Sequence, residues 1–313
     1  LQAKQKGDNN LKGILSGRKG RLIILSIFLL IAVLSSKLQS FDKIKVVSTI
    51  FPLTELTSRV AGSRAEVRQI IPSSADIHHF QLRPSDLKAF SQAQLLVAVG
   101  ENLEPWLARL EKSVIPISAR KIKFFDLIKS CQYPGLIAED PHLWLDLEAD
   151  ILLVQKIAEE LIILDPAGKD FYLENASRLV SELKTLDENF RNSLSRCRNR
   201  FLVVAGHQAF GYLAARYGLE QVSLTGANPE AQPAPRQIQT MVELIKSRKI
   251  KAVFYESSSS PAYAQTIARE TGATLYRLSA GVNLTSAELR QKIDFLSLMK
   301  NNLQTLIQAL ECE

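Results

Sequence analysis

The residues best equipped for chemistry are four histidines, the only ones in a chain of 313 residues. They fall in three contexts: Ala75-Asp-Ile-His-His-Phe80, Glu139-Asp-Pro-His-Leu-Trp-Leu-Asp146 and Val204-Ala-Gly-His-Gln-Ala-Phe-Gly-Tyr212. Neutral imidazole is the commonest nitrogen ligand of Zn²⁺, at about 2.0–2.1 Å. Asp76 and Asp140 each stand two residues before a histidine, and Asp146 stands four after His142. A carboxylate so placed can accept the second ring N–H and fix the direction of a ligating imidazole. No H-x-x-x-H or H-E-x-x-H pair puts two rings on one helix face. Spacing alone therefore leaves each histidine open between metal ligand and ordinary hydrogen-bonded residue. Other chemistry has less support. The four serines at 257–260 lack a G-x-S-x-G elbow and read as a polar loop after a strand. Neither G-x-x-x-x-G-K-[ST] nor G-x-G-x-x-G occurs, so nucleotide use within this chain is unsupported.

The elements around these residues alternate. Short apolar, β-branched runs at 45–49, 95–99, 201–205, 251–255 and 274–276 read as buried strands. Over 236–248 the apolar residues Ile238, Met241, Val242 and Ile245 share one helical face, with Pro233 and Pro235 at the entry. Strands alternating with helices predict α/β units with parallel sheets, and the histidine contexts lie near the ends of apolar segments, where such sheets place ligands. The middle of the chain lacks strand signals. Leu152, Leu153, Ile157 and Leu161 form one stripe, which Asp165-Pro166 breaks. Residues 170–196 then run without Gly or Pro, with Leu173, Leu179, Val180, Leu183, Leu186 and Phe190 as apolar positions. A helix of that length spans about 40 Å and predicts a rigid connector between two lobes. The expected organisation is an N-terminal α/β lobe over 41–168, a connector helix over 169–197 and a C-terminal α/β lobe over 198–313.

Composition is that of a globular protein, 46% apolar and 23% charged. The net charge of +7 is concentrated: residues 1–40 hold seven cations and one anion, so residues 41–313 carry about +1. A nucleic-acid binder would carry a basic footprint on its folded body, so that class is disfavoured. Residues 22–34, Leu-Ile-Ile-Leu-Ser-Ile-Phe-Leu-Leu-Ile-Ala-Val-Leu, are apolar except for Ser26 and follow a cationic stretch. They are short for a membrane span. Residues 1–40 read as a secretory signal peptide, with an uncleaved N-terminal anchor as the alternative. Export permits disulfides. Cys131, Cys197 and Cys312 allow one internal bridge at most; Cys197–Cys312 is conceivable, but spacing does not fix the pairing.

The chain closely resembles the metal-specific solute-binding proteins of ABC importers, the cluster A-I family, and its zinc-uptake (ZnuA-type) branch in particular. The resemblance spans almost all of residues 44–281. It rests on Ile71-Pro…Ala75-Asp-Ile-His78, Arg83-Pro-Ser-Asp86, Gly100-Glu-Asn-Leu-Glu-Pro-Trp106, Asp140-Pro-His-Leu-Trp-Leu-Asp146, Asp165-Pro166, Tyr172-Leu-Glu-Asn175, His207-Gln-Ala-Phe-Gly-Tyr212, Tyr217-Gly-Leu219 and Ile267-Ala-Arg-Glu-Thr-Gly272. It implies two lobes, each a parallel sheet flanked by helices, joined by one long rigid helix, with the metal in the interlobe cleft and little lobe movement on binding. It implies metal ligation by His78 and His142 from the first lobe and His207 from the second. Manganese-type relatives usually carry a carboxylate at the third position, so His207 suits zinc.

Departures from the family pattern concern the fourth ligand. An Asp is common in a Leu-Asp-Pro segment near the last strand, where this chain has Leu278-Ser279-Ala280. Ser279 is a poor Zn²⁺ ligand, which leaves water or a carboxylate such as Asp76 or Glu256; His79 is an alternative ligand, and Asp146 a further outer-shell candidate. Gln232 replaces a usual Glu, and residues 107–139 contain no histidine, so the His-rich loop of many zinc-uptake members is absent. The resemblance implies an extracytoplasmic, non-enzymatic monomer that captures Zn²⁺ and delivers it to an ABC permease with its ATPase. A Mn²⁺ receptor, a three-His zinc hydrolase and a metal-binding adhesin are the alternatives. Because ligands must be deprotonated, affinity is expected to fall as pH drops through the imidazole range near about 6.5.

Overall fold

Each sheet is built around strands that are apolar on both faces. The computed structural model describes residues 42–138, 140–226, 231–256 and 261–313. The targeting segment over 1–40 and the serines at 257–260 lie outside the described residues. In the first lobe the chain runs β1 (Ile44–Ser48), α1 (Phe51–Ala61), β2 (Ala65–Gln69), α2 (Pro84–Ser91), β3 (Leu95–Ala98), α3 (Leu107–Ser113), β4 (Arg120–Lys123) and α4 (Phe124–Ser130). Two long helices follow, α5 (Leu147–Leu164) and α6 (Lys169–Leu194). The second lobe runs β5 (Phe201–Val204), α7 (Gly211–Tyr217), β6 (Glu220–Ser223), α8 (Pro235–Arg248), β7 (Ala252–Glu256), α9 (Ala262–Thr271) and β8 (Thr274–Leu278), then α10 (Ser286–Gln291) and α11 (Phe295–Ala309). Both sheets are parallel and four-stranded, ordered β2-β1-β3-β4 and β6-β5-β7-β8.

All five expected strands are present. The three that sequence reading did not identify, β2, β4 and β6, are all edge strands. Ala-Glu-Val-Arg-Gln, Arg-Lys-Ile-Lys and Glu-Gln-Val-Ser are half-exposed and polar. Charges on an edge discourage pairing with a second chain, and they erase the apolar run that marks an interior strand.

Period-two alternation sorts the second sheet into two cores. Leu202, Val204, Ala252 and Phe254 join a continuous cluster that begins at Ile44 in the first lobe and includes α5, α6 and α11. Val203 and Val253, pointing the other way, pack with Met241 and Ile245 of α8 and Ile267 of α9.

The connector is therefore a core helix over its whole length. α6 is 26 residues long, about 39 Å at 1.5 Å per residue. Its buried face is Tyr172, Ala176, Leu179, Leu183, Leu186, Phe190 and Leu194, a stripe at helical spacing. Leu173, expected in that stripe, is exposed, because Tyr172 takes the inward position and donates its hydroxyl to Asp165 Oδ2 at 2.8 Å. α6 packs on α1 and α5 of the first lobe and on α7 and α11 of the second. Residues 44–313 accordingly form one compact unit. Among the described residues no helix is long and apolar enough to cross a membrane.

The chain closes on itself behind α6. Cys197, just past α6, is bonded to Cys312, just past α11, and Cys131 is free and exposed. Asn199 N–H donates to Leu310 O at 3.2 Å beside the bridge. The bridge spans a sequence separation of 115 residues, a long loop removed from the unfolded ensemble. Cys312→Ser, or reduction, is expected to lower stability by about 2–5 kcal/mol and Tm by several degrees. Calorimetric melting with and without reductant checks this; a Tm unchanged to within about 1 °C would contradict it.

Candidate metal centre

Three loops from the ends of these elements meet in one cavity of ≈ 240 Å³. His78 lies between β2 and α2, His142 precedes the turn Leu143–Leu145 that leads into α5, and His207 follows β5. One potential ligand atom from each ring lies within 4.8 Å of the others, and the ring centroids are 5.4–5.7 Å apart. Ligands of a tetrahedral zinc at 2.0–2.1 Å stand about 3.4 Å from one another, so the trio is at most about 1.4 Å wider than a filled site.

Each ring is held differently. Asp140 Oδ1 accepts the backbone N–H of His142 at 2.9 Å and pairs with its Nδ1 at 2.7 Å. Both residues are buried, and the pairing leaves Nε2 for the cavity. His207 Nδ1 stands 3.4 Å from Glu256 Oε2, at the end of β7, while Nε2 is buried without a hydrogen-bond partner. A buried polar atom in that state is costly, and an ion between the rings would satisfy it. His78 is more open and takes its position from the backbone: Asp76 Oδ1 accepts its N–H at 2.9 Å.

The other candidates divide. Asp76 was expected to orient the ring of His78; its second oxygen instead pairs with His79 Nδ1 at 2.7 Å. His79 is half-exposed and stands outside the trio. Asp146 is held elsewhere: it caps α5 by accepting Glu148 N–H at 3.0 Å, accepts the Tyr133 hydroxyl at 2.6 Å and pairs with Arg216 at 3.2 Å. Ser279 is also removed from the cavity lining. Its Oγ accepts Gly281 N–H at 3.2 Å, and its backbone exchanges two hydrogen bonds with the Asn302 amide. A capping carboxylate and a turn hydroxyl already have their partners, so neither is placed to meet an ion between the histidines.

Sequence reading missed how the second lobe grips the loop that carries His142. Tyr212 Oη accepts Ile137 N–H at 3.1 Å and donates to Ile137 O at 3.0 Å. Gly211 faces Asp140 so closely that a Cβ there would stand 2.5 Å from Asp140 Oδ2. One turn on, Arg216 pairs with Glu148 at 2.6 Å and with Asp187 of α6 at 2.6 Å. The signal in sequence is the Phe-Gly-Tyr of the His207 context, which carries no chemistry of its own until the two loops meet.

Electrostatics favour neutral rings. Burial, then the neighbouring His142, pushes His78 down to about 4. Burial, then His142 and His78, pushes His207 down to about 3. Both lone pairs therefore stay free well below the unperturbed value near 6.5, and the expected acid loss of ligation moves to lower pH for these two rings.

Residues 46–309 match the family described as zinc-uptake complex component A, periplasmic (ZnuA). The zinc-binding protein AdcA of Streptococcus pyogenes is 29% identical over 286 residues, covering 84% of this chain and 55% of its own length. The chain thus spans about half the length of the AdcA relatives it matches. The high-affinity zinc uptake system protein ZnuA of Bacillus subtilis is 27% identical over 310 residues, covering 93% of this chain and 97% of its own. The crystal structure of the Zn(II)-bound ZnuA-like domain of Streptococcus pneumoniae AdcA superposes with a TM-score of 0.73 at 28% identity, covering 86% of this chain and 100% of that domain.

The depressed histidines make a stability prediction with a definite sign. The folded rings stay neutral while the unfolded ones take up protons below about 6.5, so the unfolded state binds more protons and metal-free stability falls with acid. That loss runs from about 6.5 down toward 4 and 3. Between pH 7 and pH 5 the metal-free wild type is expected to lose more Tm than His207→Gln, whose amide does not titrate; equal losses would mean that His207 is not held neutral.

Proposed function

The chain belongs to the ZnuA family of periplasmic zinc-uptake components, and from that premise we propose that it captures Zn²⁺ between its lobes through His78, His142 and His207. That family is one of solute-binding proteins rather than enzymes, and the proposal takes this chain to have no catalytic role. The observation that carries the reading is the convergence of three imidazoles, two from the first lobe and one from the second, on one small cavity.

The donor set supports zinc over a harder ion. Imidazole nitrogens suit a borderline metal, whereas Mn²⁺ favours carboxylate and water oxygen. Asp140 and Glu256 stand behind rings, against Nδ1, where they raise ligand basicity without entering the inner sphere. We take the ion to be passed on to a membrane permease driven by its ATPase, with the protein acting outside the cytoplasm. Ligands drawn from both lobes suit such a hand-over: a small shift of the His207 loop removes one donor and leaves the other two on a site too weak to retain the ion.

Titrating the metal-stripped chain calorimetrically with Zn²⁺ and Mn²⁺ in competition tests this. One tight Zn²⁺ per chain that Mn²⁺ does not displace is the expected result, with His142→Ala losing tight binding. Preference for Mn²⁺, or full Zn²⁺ affinity in His142→Ala, would sink the assignment. Asp140→Asn keeps the ring but weakens its orientation, and is expected to lower Zn²⁺ affinity about 10–100-fold; unchanged affinity would show that Asp140 does not direct His142.

A further inference from the structure

Three histidines leave one position open on a four-coordinate zinc, as in catalytic sites, whereas a closed site has four protein ligands. Building on the zinc-binding reading, we infer that the side-chain amide oxygen of Asn283 fills that position and closes the site from the second lobe.

Asn283 lines the same cavity as the histidines, and its Oδ1 is buried without a hydrogen-bond partner. The two acids that line the cavity, Asp76 and Glu256, stand beside other groups. Both oxygens of Asp76 are in use, one on the His78 backbone and one on His79. Glu256 Oε2 stands 3.4 Å from Nδ1 of His207, the ring nitrogen other than the unpartnered Nε2. Ser279, four residues before Asn283, is tied into its own turn.

The backbone delivers Asn283 deliberately. Its φ is 53°, the left-handed region that asparagine tolerates better than other side-chain-bearing residues. Here both flanks are anchored to the first lobe. The Trp144 indole N–H, two residues past His142, donates to Ala280 O at 2.6 Å. Leu284 N–H donates to the carbonyl of Ser73, on the His78 loop, at 2.6 Å. Val282 and Leu284 on either side are buried. The segment is thus registered against both first-lobe histidine loops, and Val282 and Asn283 line the cavity from it.

The chemical consequence is a set of four neutral donors. The ion keeps its full charge, which Asp140 and Glu256 balance from behind their histidines. No carboxylate reaches the metal, and three of the four donors are imidazole nitrogens, a set that suits zinc better than Mn²⁺.

The test uses the full chain loaded with Co²⁺ in place of zinc, whose visible spectrum reports the inner sphere, with azide as the probe for an open position. The wild-type spectrum is expected to be unmoved by azide. Asn283→Gly retains the left-handed backbone and removes the donor; azide is expected to shift its spectrum, and its Zn²⁺ affinity to fall about tenfold. Asn283→Asp is expected to bind Zn²⁺ at least as tightly as wild type and to gain Mn²⁺ binding. Azide shifting the wild-type spectrum would overturn the inference, as would a site that Glu256→Gln opens and Asn283→Gly does not. Either result leaves the zinc reading standing as long as His142→Ala still loses tight binding; full Zn²⁺ affinity in His142→Ala would instead remove the reading on which the inference rests.

Discussion

Everything in this molecule answers to one constraint: three imidazoles from two different lobes must be held within a few ångströms of one another. Coordination tolerates errors of tenths of an ångström, so the lobes cannot drift. A flexible hinge between them would spread His207 over many positions, and part of the binding energy would go to recovering the right one. The chain avoids that loss by joining its lobes through packed surface. α6 buries one face along its length, α11 returns from the second lobe to pack against α1 and α6, and the Cys197–Cys312 bond fastens the two helix ends behind them.

Packing sets the lobes broadly; polar contacts set them finely. Arg216 reaches from α7 to Asp146 and Glu148 at the start of α5 and to Asp187 on α6, so one guanidinium spans three elements. Asp150, one turn beyond Asp146, is fully buried, and burial together with the neighbouring Asp146 raises its pKa well above its ordinary value. Tyr212 and Gly211 then bring this ordered helix against Ile137 and Asp140. The same Asp140 directs His142, so the contact that fixes lobe orientation also reaches the metal cavity through a single side chain.

Interior strands were legible in sequence because both of their faces are apolar, as in Leu95–Ala98, whose four residues are all buried. The polar edges were not, since an edge strand is specified by its neighbour's hydrogen bonds more than by its own composition. α6 was legible in position and length, but not in its full role. A long amphipathic run reads alike whether it bridges two bodies or lies inside one. The histidines were visible as contexts, and their likeness to a known family gave them a common purpose. Spacing alone could not, because the three rings come from loops separated by whole βα units. The weaker sequence expectations were those that drew on proximity along the chain. Asp146 lies four residues from His142 yet caps a helix, and Asp76 lies two from His78 yet pairs with the next ring. Short loops decide side-chain direction by local turn geometry, which residue spacing does not encode.

The balance between holding and releasing an ion follows from where the charge lies. A site with carboxylates in contact with the metal gains Coulomb energy in a low-dielectric cavity and gives it back only with difficulty. Here the two nearest acids touch imidazole Nδ1 atoms, one bond network removed from the ion's position. Their charge strengthens the ligands from behind the rings. Burial already holds His78 and His207 neutral before an ion arrives, so no proton has to leave them on binding. Binding strength then depends mainly on geometry, on whether all the donors converge at once. Geometry is the one quantity that a docking membrane partner could alter from outside, by moving a single loop on one lobe while the shared core keeps the rest in place.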